Sequence, residues 1–323
     1  MKGLHKPHDK FFRAVFSESD NARELLQCTL PHRILSMLDL RTVLVEDSGV
    51  IDSELSEFQS DLLIRTRRRG APVLVYVLIE HKSHPERWTV FQLLKYMMRL
   101  WEAEHRRHGK KNTLPEIIPV IFYHGTERWR MPLRFSLYFT PGYGLQPYVP
   151  EFEPVMVNLQ QLNDDALGTG VLVGAALKTL KYSLGNLRPY LVSILRAVSS
   201  LPMDGKNRAF LKMLLEYIIV GCKDIEERDV KRAFQSVDSR EAREAYMTLA
   251  EQLLQRGKRE GMLEGKLRDK QEVLLQLLAR KFGSVGKGER LKITAARDPN
   301  KLDRAIEGIL SADTIADILS ALD

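Results

Sequence analysis

Apolar residues in the first third of the chain follow two different spacings. From Asp9 to Leu30 they recur at helical intervals around a polar interruption at Ser17–Asn21, which predicts one amphipathic helix that Pro31 ends. Short and nearly continuous apolar runs come next. They predict three neighbouring strands, at Arg41–Ile51, Glu57–Thr66 and Val73–Ile79.

Helical and strand patterns then alternate once more. Pro85–Arg107 has apolar residues along one side of a long helix, and Ile117–Tyr123 has the composition of a buried strand. The order helix, three strands, helix, strand predicts a mixed α/β core. Between the second and third strands we expect a two-residue turn at Arg69 and Gly70, in which the glycine takes a positive φ.

The remainder of the chain is predicted to be mostly helical. The stretch from residue 132 onward is rich in proline and glycine and is typical of a loop, and helical patterns dominate from Asp164 to about Phe234. Beyond a boundary near residue 240, Glu241–Phe282 and two further amphipathic segments predict a helical docking or oligomerisation region. The sequence therefore predicts two parts, residues 1–240 and residues 241–323.

Charge adds one feature to this picture. The 323 residues are 44% hydrophobic and 28% charged, as in ordinary globular proteins, and lysine plus arginine exceed aspartate plus glutamate by 49 to 42. Residues 61–130 alone hold fourteen basic and seven acidic side chains, which equals the excess of the whole chain. Such a local surplus predicts a polyanionic partner, most simply DNA, and its plain alternative is a basic face in contact with solvent only.

The apolar stretches and the cysteines bear on the cellular location. The longest uncharged apolar stretch is too short to span a bilayer, and the first residues form no apolar signal core, so neither a membrane nor secretion is expected. Cys28 and Cys222 are too few for a disulfide framework or a four-cysteine zinc site. A reducing cytoplasm is the expected compartment.

Two acidic residues and a lysine form the candidate chemistry. With the predicted turn, Asp61 pairs with Leu78 and Gln59 with Glu80, so the period of two puts Asp61, Glu80 and Lys82 on one face of the sheet. Asp61 and Glu80 are then diagonal neighbours about 5–7 Å apart, which allows both to bind one divalent cation. An ammonium beside them would orient a metal-bound water or stabilise the charge that develops on a phosphate.

Gln92 and Tyr96 supply a second component. They are four residues apart and so share one face of the predicted helix, which would place both over the lysine and the acids. A purely structural interpretation stands beside this one. In it, Asp61, Glu80 and Lys82 form a cross-strand salt-bridge cluster, Tyr96 belongs to the core and Gln92 faces solvent.

The histidines do not form a second predicted centre. Asp9 follows His8, but no further metal-binding set accompanies this pair, and Asp9 is expected to be the N-cap of the first helix. The HxxH spacings have no convincing third and fourth ligand, so zinc is not expected. These spacings are His81 with His84 and His105 with His108.

Asp61 followed by Glu80-His81-Lys82 resembles the D…(E/D)xK signature of the PD-(D/E)XK nucleases. The spacing of Gln92 and Tyr96 resembles the QxxxY helix of the RecB-like branch of that superfamily. One departure is Ser60, which stands where the superfamily name has proline.

A closer resemblance covers nearly the whole chain. Three stretches resemble the recombination-promoting nuclease (Rpn) family of YhgA-like transposases. They are His8–Arg13, Pro119–Gly125, and a glycine repeat of period four (Gly257, Gly261, Gly265) that leads into Leu277–Gly283. This resemblance implies a PD-(D/E)XK-like mixed sheet flanked by helices, with a helical C-terminal region. It also implies an Mg²⁺-dependent DNA endonuclease that promotes recombination.

The resemblance also assigns roles to residues. The catalytic set that it implies is Asp61, Glu80, Lys82, Gln92 and Tyr96. Asp61 and Glu80 would bind Mg²⁺, with the main-chain carbonyl of His81 as a further ligand, and Mn²⁺ or Ca²⁺ would also accept such oxygen ligands. Lys82 would act on the attacking water.

Three interpretations stay open at this point. The first is the endonuclease, for which the phosphate chemistry fits RNA as well as DNA. The second is a DNA-binding or transposition-associated protein that does not cleave. The third is an interaction scaffold in which the helical tail assembles a homo-oligomer.

Overall fold

A computed structural model describes residues 7–46, 62–71, 74–107, 113–139, 148–168, 170–222, 224–237 and 239–322. The chain divides into two compact units, residues 1–246 and residues 247–323. The division expected from the sequence, after residue 240, lies six residues before this boundary. The first unit contains a β-sheet, and the second is helical.

The sheet of the first unit has five strands in the described part of the chain. They are β1 (Leu38–Glu46), β2 (Leu62–Arg68), β3 (Leu74–Lys82), β4 (Glu116–Tyr123) and β5 (Val155–Asn158). Their order in the sheet is the order in the chain. β2 runs antiparallel to both of its neighbours, β1 and β3. β4 runs parallel to β3, and β5 runs parallel to β4. This sheet, flanked by helices, confirms the mixed α/β class.

Helices make up most of the rest. In chain order they are α1 (Pro7–Phe16), α2 (Ser19–Thr29), α3 (His32–Leu35), α4 (Thr89–Arg107), α5 (Val171–Tyr182), α6 (Arg188–Ser199), α7 (Gly205–Gly221), α8 (Glu227–Gln235), α9 (Arg240–Phe282), α10 (Lys287–Ala295), α11 (Pro299–Gly308) and α12 (Ile315–Leu319). Among the described residues, no helix combines the length and the apolarity that crossing a membrane requires.

Three predicted helices or loops differ from those observed. The helix predicted over Pro85–Arg107 begins only at Thr89, after an irregular segment. The single N-terminal helix is in fact α1 and α2, because the side-chain amide of Asn21 donates to the main-chain oxygen of Val15 (2.8 Å) and binds the end of α1. The predicted loop after residue 132 contains β5. This strand has only four residues and depends on its pairing with β4, so its own sequence carries too little periodicity to reveal it.

The register of the β2–β3 hairpin was predicted wrongly by two residues. Leu62 pairs with Ile79 and Arg67 with Leu74, because the connection is longer than a two-residue turn. Gly70 does have the predicted positive φ, at 77°. A shift of two residues leaves every side chain on its expected face, since the strand period is also two. Asp61 and Gln59, whose pairings depended on this register, lie outside the described residues.

The two faces of the sheet are covered by different helices. α4 packs over one face and forms a hydrophobic core with side chains from β2, β3 and β4. The buried members of this core are Leu63, Tyr76, Val90, Leu93, Tyr96, Met97, Leu100, Ala103, Ile121 and Phe135. On the other face, the α1 side chain Phe12 packs against Phe122 of β4. Both faces are therefore buried, which fixes the direction in which each β3 side chain points.

The second unit has a separate core. It is built by the C-terminal half of α9 with α10, α11 and α12 around Leu274, Leu278 and Ile293. The amine of Lys281 donates to the main-chain oxygens of Ile309 (2.6 Å) and Ala312 (2.7 Å), which closes the end of α11. Helix ends leave carbonyl groups without intrahelical partners, and a lysine satisfies them well.

Candidate functional site

The candidate site lies at the C-terminal end of β3. Glu80 and Lys82 are two residues apart and so point to the same face, the one that α4 covers. Glu80 is only 3% exposed. The Lys82 side chain is 12% exposed, and its amine lies 3.0 Å from Oε1 of Glu80. The sheet therefore holds a carboxylate and an ammonium together at the edge of an apolar core.

Lys82 is the centre of a small polar network. Its Nζ donates to Oε2 of Glu86 (2.7 Å) as well as contacting Glu80, and it donates to Oε1 of Gln92 on α4 (3.3 Å). Three oxygen atoms from three segments therefore surround one amine. An ammonium has three N–H donors, so each of these contacts is compatible with the protonated lysine.

Tyr96 lies one helical turn beyond Gln92. The amide nitrogen of Gln92 donates to the Tyr96 hydroxyl (2.6 Å), and this bond directs the amide oxygen toward Lys82. Tyr96 is itself buried in the core under α4. The predicted placement of Gln92 and Tyr96 on a helix above the lysine is thus the observed one, with Gln92 in contact with Lys82.

The surroundings of Lys82 favour its charged form. Burial alone would lower the pKa of this amine, but the nearby carboxylates of Glu80 and Glu86 outweigh burial and raise the pKa above its usual value. Lys82 is therefore protonated at neutral pH. In that state it donates hydrogen bonds and offsets negative charge, and it is a poor proton acceptor.

His81 points to the opposite face of the sheet. Its ring stacks between Phe12 (centroids 4.7 Å apart) and His124 (4.6 Å), and its Nδ1 lies 3.0 Å from Oδ1 of Asp9. Asp9 lies in the first turn of α1 and contacts this histidine, so its expected N-cap position was wrong. Burial lowers the pKa of His124 well below its usual value, and His81 and His8 lower it further.

Two carboxylates that could bind a divalent cation, those of Glu80 and Glu86, lie at the candidate site. The contacting oxygens of Glu80 and Glu86 lie within 3.0 Å and 2.7 Å of the same amine, which brings two carboxylates close together at the end of β3. Carboxylate oxygen is the donor that Mg²⁺ prefers. In the described ranges no three His, Cys, Asp or Glu side chains are placed to share an ion. Asp61, the other predicted metal ligand, lies outside those ranges, and the role of the His81 carbonyl stays a prediction.

Glu86 is the residue that the sequence interpretation missed. It follows Lys82 by four residues in the irregular segment before α4. Spacing rules for a regular strand or helix do not apply to such a segment, so the position of Glu86 beside Lys82 was not deducible from the pattern. The negative charge of Glu86, four residues after the end of the ExK motif, was the only available signal.

Comparison with known proteins identifies the family. Residues 6–204, more than half of the chain, match the family described as "Putative transposase, YhgA-like". The chain belongs to this family. This match and the relatives below confirm the resemblance to the Rpn proteins. No solved structure matches the chain.

Three relatives illustrate the range of the family. Recombination-promoting nuclease RpnD of Escherichia coli O157:H7 is 33% identical over 131 residues, which is 41% of this chain and 49% of the relative. Recombination-promoting nuclease RpnA of Escherichia coli K12 is 28% identical over 263 residues, 78% of this chain and 84% of the relative.

The third relative is named as an inactive protein. Inactive recombination-promoting nuclease-like protein RpnE of Escherichia coli K12 is 25% identical over 287 residues, 85% of this chain and 91% of the relative. The similarity to RpnD spans about half of that relative's length. The family thus includes proteins named as nucleases and a protein named as inactive.

Proposed function

We propose that this protein is a metal-dependent DNA endonuclease that hydrolyses phosphodiester bonds and promotes recombination. The observation that carries the proposal is the 3.0 Å contact between the buried Glu80 and Lys82 at the end of β3, with Gln92 of α4 bonded to the same lysine. A carboxylate, an ammonium and a helix-borne amide in this arrangement fit the ExK and QxxxY parts of the family pattern. The names of RpnA and RpnD support the same class of reaction.

The metal would be held by Glu80 and Asp61, with Mg²⁺ as the first choice and Mn²⁺ or Ca²⁺ as alternatives. Asp61 is joined by one peptide bond to Leu62, whose partner Ile79 directly precedes Glu80. When bound, such an ion offsets phosphate charge and lowers the pKa of a coordinated water. Glu86 is a further carboxylate within reach of the same amine.

Lys82 would act as a hydrogen-bond donor in this reaction. The ammonium, 3.0 Å from Oε1 of Glu80, can orient the attacking water and stabilise the charge that develops on the phosphate oxygens. Gln92 would hold the amine through its amide oxygen, and Tyr96 would hold the amide. Gln92 and Tyr96 are thus assigned as positioning residues.

A nicking assay tests the proposal. Supercoiled plasmid is incubated with the full-length protein and Mg²⁺, and Glu80→Gln and Lys82→Met are compared with wild type. Each variant should lose about a hundredfold or more in cleavage rate while keeping most of its affinity for DNA. Glu102→Gln is the matched control, because Glu102 pairs with Arg99 on the exposed side of α4. A cleavage assay on a labelled RNA strand, under the same conditions, tests whether the protein accepts RNA as well as DNA.

A second candidate is a DNA-binding protein that does not cleave. The relative named as inactive, which aligns over 85% of this chain, is the observation that favours it. A wild-type protein that binds DNA but cuts nothing in Mg²⁺, Mn²⁺ or Ca²⁺ would support this candidate over the endonuclease. A DNA-binding measurement alone does not distinguish the two candidates, since both predict salt-sensitive affinity for DNA.

A further inference from the structure

Four aromatic side chains form a surface next to the candidate site. Two of them flank the first residues of α4 and two lie in the segment before residue 140, and we call the four the aromatic patch. The members are Trp88, Phe91, Tyr138 and Phe139. Trp88 is 55% exposed and Phe91 and Phe139 are each 45% exposed, so large apolar rings face solvent here. Contiguous exposed apolar surface of this kind usually marks a binding site.

The rings of the patch are held in fixed positions. The centroid of Trp88 lies 5.7 Å from that of Tyr138 and 6.2 Å from that of Phe91. Phe135 is buried beneath the patch and contacts both Phe91 (6.4 Å) and Phe139 (5.5 Å). The Tyr138 hydroxyl donates to the main-chain oxygen of Arg87 (2.5 Å), which ties the two segments together. A ligand would therefore meet a preformed surface.

The patch also carries positive charge. The guanidinium of Arg87 lies 5.8 Å from the centre of the Trp88 ring and 6.0 Å from that of Tyr138, a cation–π arrangement. Two segments contribute to the patch, residues 84–99 and residues 126–139. Along the sequence, each holds three basic side chains and one acidic side chain, of which Arg99 pairs with Glu102 and Arg134 with Glu153. Aromatic rings within a basic surface are the combination that binds single-stranded nucleic acid.

The patch adjoins the Lys82 network along the chain. Glu86, which bonds Lys82, immediately precedes Arg87 and Trp88, and Gln92, which also bonds Lys82, immediately follows Phe91. A strand whose phosphate lies at Lys82 would bring its neighbouring bases toward these rings. In a duplex the base faces are stacked on each other, so only unpaired bases can stack on protein rings.

We infer that the aromatic patch binds unpaired nucleobases, so that the substrate is DNA with a single-stranded or locally opened segment beside the bond to be cut. This inference rests on the proposed endonuclease function and names its substrate class. The occupant is a base of the substrate strand, held by stacking and by the charge of Arg87.

Binding measured without any metal tests the inference separately from cleavage. The full-length protein in EDTA is titrated against a labelled oligothymidine and against a duplex, by fluorescence anisotropy. The double variant Trp88→Ala/Phe91→Ala should lose about tenfold or more of its affinity for the single strand and much less for the duplex. Leu291→Ala, which changes an even more exposed apolar side chain in α10, should lose neither.

Three results would overturn the inference. The first is that the double variant keeps its affinity for the single strand. The second is that it loses equal affinity for the single strand and the duplex. The third is that a second copy of the chain covers the patch. Light scattering detects the last, because the double variant would then change the oligomeric state. If wild type cuts plasmid while single-strand affinity is unchanged in the variant, only the base-binding inference fails. If wild type never cuts yet the variant loses single-strand affinity, only the endonuclease proposal fails.

A second measurement needs no variant. Single strands that carry 5-iodouracil crosslink to aromatic side chains on irradiation, and mass spectrometry identifies the modified residues in the wild-type chain. Crosslinks at Trp88, Phe91, Tyr138 or Phe139 support the inference. Crosslinks found only at aromatic residues outside the aromatic patch contradict it.

Discussion

At the scale of single residues, the pairing of Glu80 with Lys82 has a consequence for stability. Both side chains are largely withdrawn from water, and removing one partner of such a pair costs more free energy than replacing both. The contacts of Lys82 with Glu86 and Gln92 add to this dependence. The same pair is the proposed reaction centre, so stability and activity can be measured on the same variants.

We expect Lys82→Met to lower the free energy of unfolding by about 3 kcal/mol, because it leaves the buried Glu80 without its ammonium. The double variant Glu80→Gln/Lys82→Met should recover most of this loss and still fail to cut DNA. Urea denaturation measures the free energy of unfolding of the single and the double variant. Arg99→Met is the control, since it removes an exposed ion pair with Glu102 and should cost under about 0.5 kcal/mol. A loss no larger than that of the control would contradict the assignment of a buried pair.

Both cysteines should react slowly. Burial raises the pKa of Cys28 to about 12, helped by the charge of Glu24, and burial raises that of Cys222 to about 12, helped by Asp224. The thiolate fraction at neutral pH is then roughly a thousandfold below that of an ordinary cysteine, and iodoacetamide labelling should be correspondingly slow. Full labelling in urea provides the control, and rapid labelling of the native chain would contradict the prediction.

The same shifts predict a loss of stability in alkali. The unfolded chain releases both thiol protons near pH 9.0, whereas the folded chain retains them until about pH 12. Within that window the unfolded state binds fewer protons, so the free energy of unfolding falls as pH rises. Substituting Cys28 and Cys222 by alanine should flatten this part of the profile, as measured by denaturation at several pH values.

At the scale of elements, the hairpin connection shows how local rules and the fold combine. Gly70 has a φ of 77° and no atom within 4 Å of the position where a Cβ would lie. Gly70→Ala should therefore destabilise the chain by about 1 kcal/mol through backbone strain alone. Gly205→Ala at the start of α7 is the matched control, because that glycine has equal space and no positive φ. Thermal denaturation compares the two, and equal effects would contradict the strain argument.

Strong periodicity explains which elements could be predicted. α4 and the apolar runs of β2, β3 and β4 each carry their own pattern, so their existence and order follow from the sequence. The faces of Glu80 and Lys82 follow as well, because the strand period of two is insensitive to the two-residue error in register. The site residues that lie on regular elements were for that reason the predictable ones.

Tertiary contacts explain what could not be predicted. The break between α1 and α2 depends on the bond from Asn21 to Val15, and β5 depends on its neighbour β4. The position of Glu86 depends on an irregular segment, and the aromatic patch joins two segments that are far apart in sequence. None of these features follows from the hydrophobic periodicity of its own segment.

At the scale of the whole molecule, the two compact units should respond separately to a core substitution. Leu278 is fully buried in the core of the second unit, and Leu278→Ala should destabilise that unit by about 2–5 kcal/mol. Hydrogen exchange should then accelerate in α10, α11 and α12 while the amides of the sheet keep their protection.

Leu291→Ala is the control for this experiment. It makes the same chemical change on α10, where the side chain is 69% exposed, and should leave exchange unchanged in both units. Equal acceleration in the sheet and in the tail after Leu278→Ala would show that the two units unfold as one.

The position of His81 between Glu80 and Lys82 has a practical consequence for genetics. Phe12, Asp9 and His124 contact His81 on the opposite face of β3, so substituting any of them would displace the end of this strand. A screen for inactive mutants would recover such substitutions together with those that remove reacting groups. A loss-of-function allele at any of these positions therefore says nothing about contact with substrate. An allele can be used to map the chemistry only if its product is shown to be folded under the conditions of the activity assay.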